Sequence, residues 1–229
     1  MKIYTKIIFL SFLFFTSLQA NFFADSILYA QRILTKPSSR KIFKSLFVPY
    51  KEPDAKKVLC GLIDNEKKSI SFAQYVLSDK EITEALSQAH ARGVKIQGIV
   101  DHSALHHGNE KVTDLVQQGI DILVYKKPYS IMHNKYYVFE ENFFGKPVVF
   151  MGSANASFSG FRKNKESIMV FNNKACCQTY KKEFRALQKE VQAQKMYSTQ
   201  KQREQQTAFY MLLKTFREFK RLIFLGNLL

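Results

Sequence analysis

Between residues 45 and 171, short runs of alternating apolar and polar residues trade places with stretches whose apolar residues recur at helical spacing. That alternation constrains the fold more than any other feature, because strands and helices taken in turn build α/β layers. Ser45–Tyr50 reads as a first strand that stops at Pro49. Asp54–Glu66 carries apolar residues at 55, 58, 59, 62 and 63, a helical pattern. Ser69–Leu77 alternates as a strand. Ser78 is the expected N-cap of the next helix, with Glu81 completing a capping box, and that helix stops at Arg92-Gly93. Strands are expected at Val94–Val100, Ile120–Tyr125, Lys135–Glu140, Val148–Met151 and Ser167–Phe171. A loop covers His102–Asn109, a short helix Lys111–Gln118, and a hairpin tip with Asn142 and Gly145-Lys146-Pro147 joins two of the strands. The expected fold class is a mixed central β-sheet flanked by helices, with an extra C-terminal helix.

Composition limits what this layer fold can serve. With 46% hydrophobic residues among 229, the chain can build a core. Its 35 Lys+Arg against 19 Asp+Glu leave a formal charge of +16. Such an excess points to an anionic partner, nucleic acid or a membrane surface, with a merely solvated basic surface as the plain alternative.

Both ends carry features of their own. Lys2 and Lys6 precede an uncharged, mostly apolar run from Ile7 to Leu18, followed by Gln19-Ala20, which is the layout of a secretory signal peptide over residues 1–20. The run is short for a membrane span, and an uncleaved anchor is the alternative. The expected location is periplasmic or secreted. Removing the segment takes away only two lysines, so the charge belongs to the remaining domain. Residues 21–44 read as a basic helix or arm preceding the domain of 45–190. In the helical extension 191–229, Phe209, Leu212, Leu213, Phe216, Phe219 and Ile223 form a stripe interleaved with Lys214, Arg217, Lys220 and Arg221. That stripe either packs on protein or lies on an anionic bilayer, the contact there being made by Phe209, Leu212, Leu213, Phe216 and Lys220.

Cys60, Cys176 and Cys177 are too few for a disulfide framework. One bridge from Cys60 to either of the pair suits an exported protein, while the apolar setting of Cys60 suits a buried small hydrophobe. His102-x-x-x-His106-His107 has ligand-like spacing but no Cys or carboxylate to complete a metal site.

The chemistry concentrates between residues 132 and 166. If residues 133–139 are extended, His133 and Lys135 point to one face. An imidazole beside an ammonium group makes a phosphate-binding pair with a nucleophile in it. Gly152-Ser153-Ala154-Asn155 follows a strand, so Ser153 and Asn155 can donate to phosphate oxygens. Glu166 could accept from the second imidazole nitrogen and fix the tautomer of His133.

His-x-Lys, four residues, an acid at Glu140, and a later Gly-Ser-x-Asn together resemble the signature of the phospholipase D superfamily. The resemblance extends over about residues 45–190, through Phe47-Val48-Pro49, Ala73-Gln74-Tyr75, Ala91-Arg92-Gly93-Val94-Lys95, Asp101, Gly119-Ile120 and Phe184. Two departures stand out: Glu140 replaces the usual Asp, and the stretch to Gly152 is longer than in the smallest members. The resemblance implies an α/β/α sandwich and a metal-independent phosphodiesterase without cofactor. His133 would be nucleophile or general acid, Lys135, Ser153 and Asn155 would bind phosphate, Glu166 would orient His133, and Glu140 and Gly152 would support. Enzymes of this type use two copies of the motif, and this chain has one. The resemblance therefore implies a homodimer that completes the site, as in small exported bacterial endonucleases and cardiolipin hydrolase relatives. The substrate expected first is DNA or RNA, the alternative a phospholipid head group, and the remote alternative a non-catalytic anion-binding member.

Overall fold

A computed structural model describes residues 24–36, 39–50, 53–107, 109–194 and 211. The segment 1–20 and the apolar stripe from Phe209 to Ile223, including Lys220, lie outside the described residues, apart from Met211. The chain divides into two units, 1–188 and 189–229. The second is described only over 189–194, the end of a helix, and at Met211; the site lies in the first.

The order of elements is α1 (24–34), β1 (Phe43–Val48), α2 (Ala55–Asn65), β2 (Ser69–Gln74), α3 (Lys80–Ala91), β3 (Lys95–Asp101), α4 (Asn109–Gln117), β4 (Asp121–Tyr125), β5 (Lys135–Phe139), β6 (Val148–Gly152), α5 (Phe158–Arg162), β7 (Glu166–Phe171) and α6 (174–194). A three-ten turn spans His102–His107 where a loop was expected. The seven strands form one sheet in the order β1-β7-β6-β5-β2-β3-β4. β2, β3 and β4 are parallel, joined through α3 and α4. β5, β6, β7 and β1 run antiparallel, and β5 pairs with β2 to join the halves. The expected mixed sheet flanked by helices is therefore present.

Local chemistry explains the helix starts. The Asp54 carboxylate caps α2, accepting the Lys56 and Lys57 N–H groups at 3.0 and 3.2 Å. Asp79, not Ser78, caps α3, accepting from the Glu81 and Ile82 N–H groups at 3.1 and 3.3 Å. The reason is tertiary: the Ser78 and Asp79 N–H groups both donate to the Ala156 carbonyl, which leaves the Asp79 side chain facing the first turn.

One face of the sheet holds the main core. Val58, Leu59, Leu62 and Ile63 of α2 and Ile82 and Leu86 of α3 cluster with Phe72, Tyr137, Phe139, Phe150, Ile168 and Val170. Burying each large aliphatic side chain contributes about 1.5–3 kcal/mol. Helix α1 belongs to this core and is no free arm: Tyr29, Ala30 and Leu34 are buried in it. A Cβ at Gly61 would stand 2.2 Å from the Ser26 carbonyl, so only glycine lets α1 and α2 approach this closely. On the other face Tyr180 of α6 meets Tyr136 edge-on at 5.1 Å and Phe171 at 5.9 Å.

The tip between β5 and β6 is pinned to α2. Asn142 is buried and donates to the Leu62 carbonyl at 2.7 Å and to Glu66 at 3.2 Å. One Glu66 carboxylate oxygen also accepts the Lys68, Ser69 and Glu141 N–H groups. Three cysteines are free, Cys60 and Cys177 buried and Cys176 exposed, so no bridge joins them. Burial raises the Cys60 thiol far above its usual range and the Cys177 thiol to about 11, which makes both poor nucleophiles.

Candidate active site

The antiparallel turn of the chain between β5, β6 and β7 brings the start of β5, the end of β6 and the start of β7 to one edge of the sheet. The carboxyl ends of parallel β2 and β3 reach the same edge, where α/β sheets form their crevices.

His133 and Lys135 stand together there. Both line an open cleft of about 530 Å³, shared with Asn134, Met151, Gly152 and Glu183. The His133 backbone is held on both sides: the Met132 N–H donates to Asp101 at 2.6 Å, and the Tyr75 N–H donates to the Asn134 carbonyl at 3.0 Å. The Tyr75 ring meets the imidazole edge-on, with centroids 4.8 Å apart. Lys135 pairs in register with Gln74 and is buried to 7% exposure. Its ammonium group donates to the His133 carbonyl at 2.7 Å and lies 5.4 Å from the centre of the Tyr75 ring. Burial lowers the pKa of Lys135, and the Glu166 carboxylate works against that shift.

The Gly-Ser-x-Asn turn is fixed by backbone. A Cβ at Gly152 would lie 2.2 Å from the Ser167 carbonyl, so the crossing of β6 and β7 requires glycine. The Ala156 N–H donates to Val76 at 3.1 Å and to the buried Gln74 side chain at 3.3 Å, tying the turn to the end of β2. The Ser153 hydroxyl donates to Glu166 and accepts from the Ser167 N–H at 3.1 Å. The other Glu166 oxygen accepts from Asn164 at 3.1 Å. Within one chain, therefore, Glu166 is bonded to Ser153 and Asn164, and no hydrogen bond joins it to the His133 imidazole. The side-chain oxygen of Asn155 is buried and without a hydrogen-bond partner. Glu140 lies at the far end of β5, ion-paired with Lys181, while its N–H donates to the Ser69 carbonyl at 3.0 Å. Among the described residues no group of three His, Cys, Asp or Glu side chains is arranged to hold a metal ion.

Three residues join the site beyond the motif: Gln74, Tyr75 and Asp101. Each ends or follows a parallel strand; the family resemblance had included all three, but without a role in the site.

The chain matches the family described as cardiolipin synthase, PLD-like domain, over residues 59–188. Phospholipase D of Rickettsia conorii is 32% identical over 124 residues, covering 54% of this chain and 59% of that protein. The mitochondrial cardiolipin hydrolase of Xenopus tropicalis is 22% identical over 129 residues, 56% of this chain and 59% of that one. These matches thus span less than two thirds of each relative. The crystal structure of Nuc, a phospholipase D family member from Salmonella typhimurium, superimposes with a TM-score of 0.56 at 21% identity, covering 66% of this chain and 95% of Nuc. An α/β sandwich with His-x-Lys and Gly-Ser-x-Asn on one sheet edge defines a phospholipase D-like domain. The protein belongs to that superfamily, in its single-motif form.

Proposed function

We propose that this protein is a phosphodiesterase that cleaves nucleic acid strands through a phosphohistidine intermediate. The observation that carries the reading is the pairing of His133 with a buried Lys135 at an open cleft. In the reaction the imidazole attacks phosphorus, a P–N bond forms and the P–O bond to the leaving alkoxide breaks. A second histidine gives that oxygen its proton, then takes one from the water that hydrolyses the intermediate. Lys135 neutralises the phosphate, and the Asn155 amide supplies a further polar contact. A chain with one motif obtains the second histidine from another copy, so the active form is a homodimer with two catalytic edges facing each other. In that arrangement Glu166 orients an imidazole, while Ser153 holds Glu166.

Charge supports nucleic acid. The segments 126–134 and 153–165 flanking the site contain Lys126, Lys127, Lys163 and Lys165 and no acidic residue, while Arg162 there is paired with Asp54 at 3.0 Å. Basic side chains also gather at the opposite edge of the sheet, at Lys41, Lys146 and Lys174. A long polyanion can follow charge across several faces, whereas a bilayer meets one. A second reading, hydrolysis of phospholipid head groups, draws on the exposed Tyr129, Ile131 and Phe158 beside the site and on the names of the relatives. Export by residues 1–20 places either substrate outside the cytoplasm.

The test incubates the protein in EDTA with plasmid DNA and oligonucleotides and, separately, with phosphatidylcholine or cardiolipin vesicles. Nucleic acid should be cut and lipid spared, and His133→Ala should lower the rate by about 10³-fold or more. Cleavage of lipid alone overturns the nuclease reading, and loss of activity in EDTA overturns the metal-independent mechanism. A catalytically active monomer by light scattering overturns the shared site.

A further inference from the structure

A second cleft, about 690 Å³ and larger than the one at His133, opens at the other edge of the sheet. Lys41, Lys146, Lys174 and Lys181 line it, against one carboxylate, Glu140, which is already paired with Lys181. Lys41, Lys146 and Lys174 have no carboxylate partner among the described residues, and Lys146 reaches only the Arg40 carbonyl at 3.5 Å. Three unneutralised ammonium groups around one concavity repel one another, an arrangement that an anion relieves. At the mouth stands Phe43, 76% exposed. An exposed ring beside lysines offers a base its π-face and the adjoining phosphates their counter-charges, the combination by which single strands are held.

We infer that this cleft is a second, non-catalytic binding site for a single-stranded nucleic acid, with phosphates on Lys41, Lys146 and Lys174 and a base stacked on Phe43. The inference rests on the nucleic-acid reading of the catalytic site. Strand β5 and the residue after it run from Lys135 at the catalytic edge to the Glu140 that lines this cleft, about 17 Å at the rise of an extended strand. One strand several nucleotides long can therefore occupy both places, and a small diester reaches only the first.

The experiment uses the full chain and a labelled single strand of about 20 nucleotides, long enough to cover both clefts. Binding is measured against salt with His133→Ala present to stop turnover, with and without Lys41→Gln, Lys146→Gln and Lys174→Gln together. Losing three phosphate contacts should flatten the slope of log affinity on log salt by about 2. With His133 intact, the triple variant should hydrolyse bis-(p-nitrophenyl) phosphate at the parental rate. Phe43→Ala should weaken the oligonucleotide by about tenfold and leave an abasic strand of equal length unaffected. An unchanged slope, or equal loss on both strands in Phe43→Ala, overturns the inference. If the triple variant also loses small-diester turnover, the Phe43→Ala comparison decides alone. If the parent cuts the oligonucleotide while the slope stays unchanged, only this cleft is lost. If it neither binds nor cuts the oligonucleotide yet hydrolyses vesicle lipid, the nuclease reading fails with it.

Discussion

The Asp101 carboxylate accepts the Met132 N–H at 2.6 Å, one residue before His133. The bond links the end of β3 to the approach of β5, and Asp101 itself is 2% exposed. Its other oxygen accepts the Ser103 N–H at 2.9 Å. Asp101→Asn keeps the shape but turns a donor toward one of these N–H groups. Leaving a buried donor unpaired costs about 1–3 kcal/mol. The variant should melt several degrees lower and lose about tenfold in kcat on a small diester, with KM little changed. A parental kcat would show that the His133 segment holds itself.

Tyr75 serves two neighbours with one ring, edge-on to His133 and 5.4 Å from the Lys135 ammonium group. Aromatic pairs and cation–π contacts each contribute about 0.5–1.5 kcal/mol beyond burial. Tyr75→Phe keeps both and should retain near-parental kcat/KM. Tyr75→Ala should lose about 10-fold or more in kcat/KM. Equal kinetics for the two variants would mean that the ring positions neither group.

Gly152→Ala places a methyl group against the Ser167 carbonyl at 2.2 Å, too close for β6 and β7 to stay in register. A destabilisation of about 2–4 kcal/mol is expected, read from denaturant or thermal melts. A melt within a degree of the parent would show that the two strands separate freely at this point.

Burial pushes the Asp64 carboxyl up to about 6, against the opposing pull of the Ser26 hydroxyl and Arg92. In the unfolded chain the group titrates at about 3.9. The folded state therefore holds this proton more tightly, and the ionised carboxylate opposes folding. That penalty is absent below about pH 4, grows between about pH 4 and 6, and is complete above. Asp64→Asn removes the titration. Relative to the parent, the variant should gain about 2 kcal/mol between pH 4 and pH 7.5, measured as a Tm difference that widens with pH. A difference constant across that range would place the Asp64 pKa near its ordinary value.

Much of this molecule was legible in its sequence because the deciding information was local. Alternation along Ser69–Gln74 and the apolar run Val148–Met151 marked strands, and the two-residue spacing of His133 and Lys135 set them on one cleft. What escaped depends on partners distant in the chain. Asp79 displaced Ser78 as a cap because Ala156, far along the sequence, fixed both backbones. Residues 21–44 read as a helix or arm outside the domain; 24–34 is a helix, but the partners that bury it, Gly61 and Asp64, come more than 30 positions after Ser26. Tyr75 and Asp101 were part of the family resemblance, but only the order of strands puts them beside His133.

The joining of β5 to β2 has a consequence for how the chain reaches its working state. The parallel half, β2 to β4, closes over short sequence separations through α3 and α4, whereas β1 must find β7 across more than 120 residues. Contacts that close long loops form slowly. The site draws Gln74, Tyr75 and Asp101 from the first half and His133, Lys135, Ser153 and Glu166 from the second. A chain that has folded only its early half therefore lacks the side of the cleft that His133 and Lys135 line. The two halves of the site meet where β5 pairs with β2, at Gln74 and Lys135, so protection of that pairing reports when the cleft is assembled.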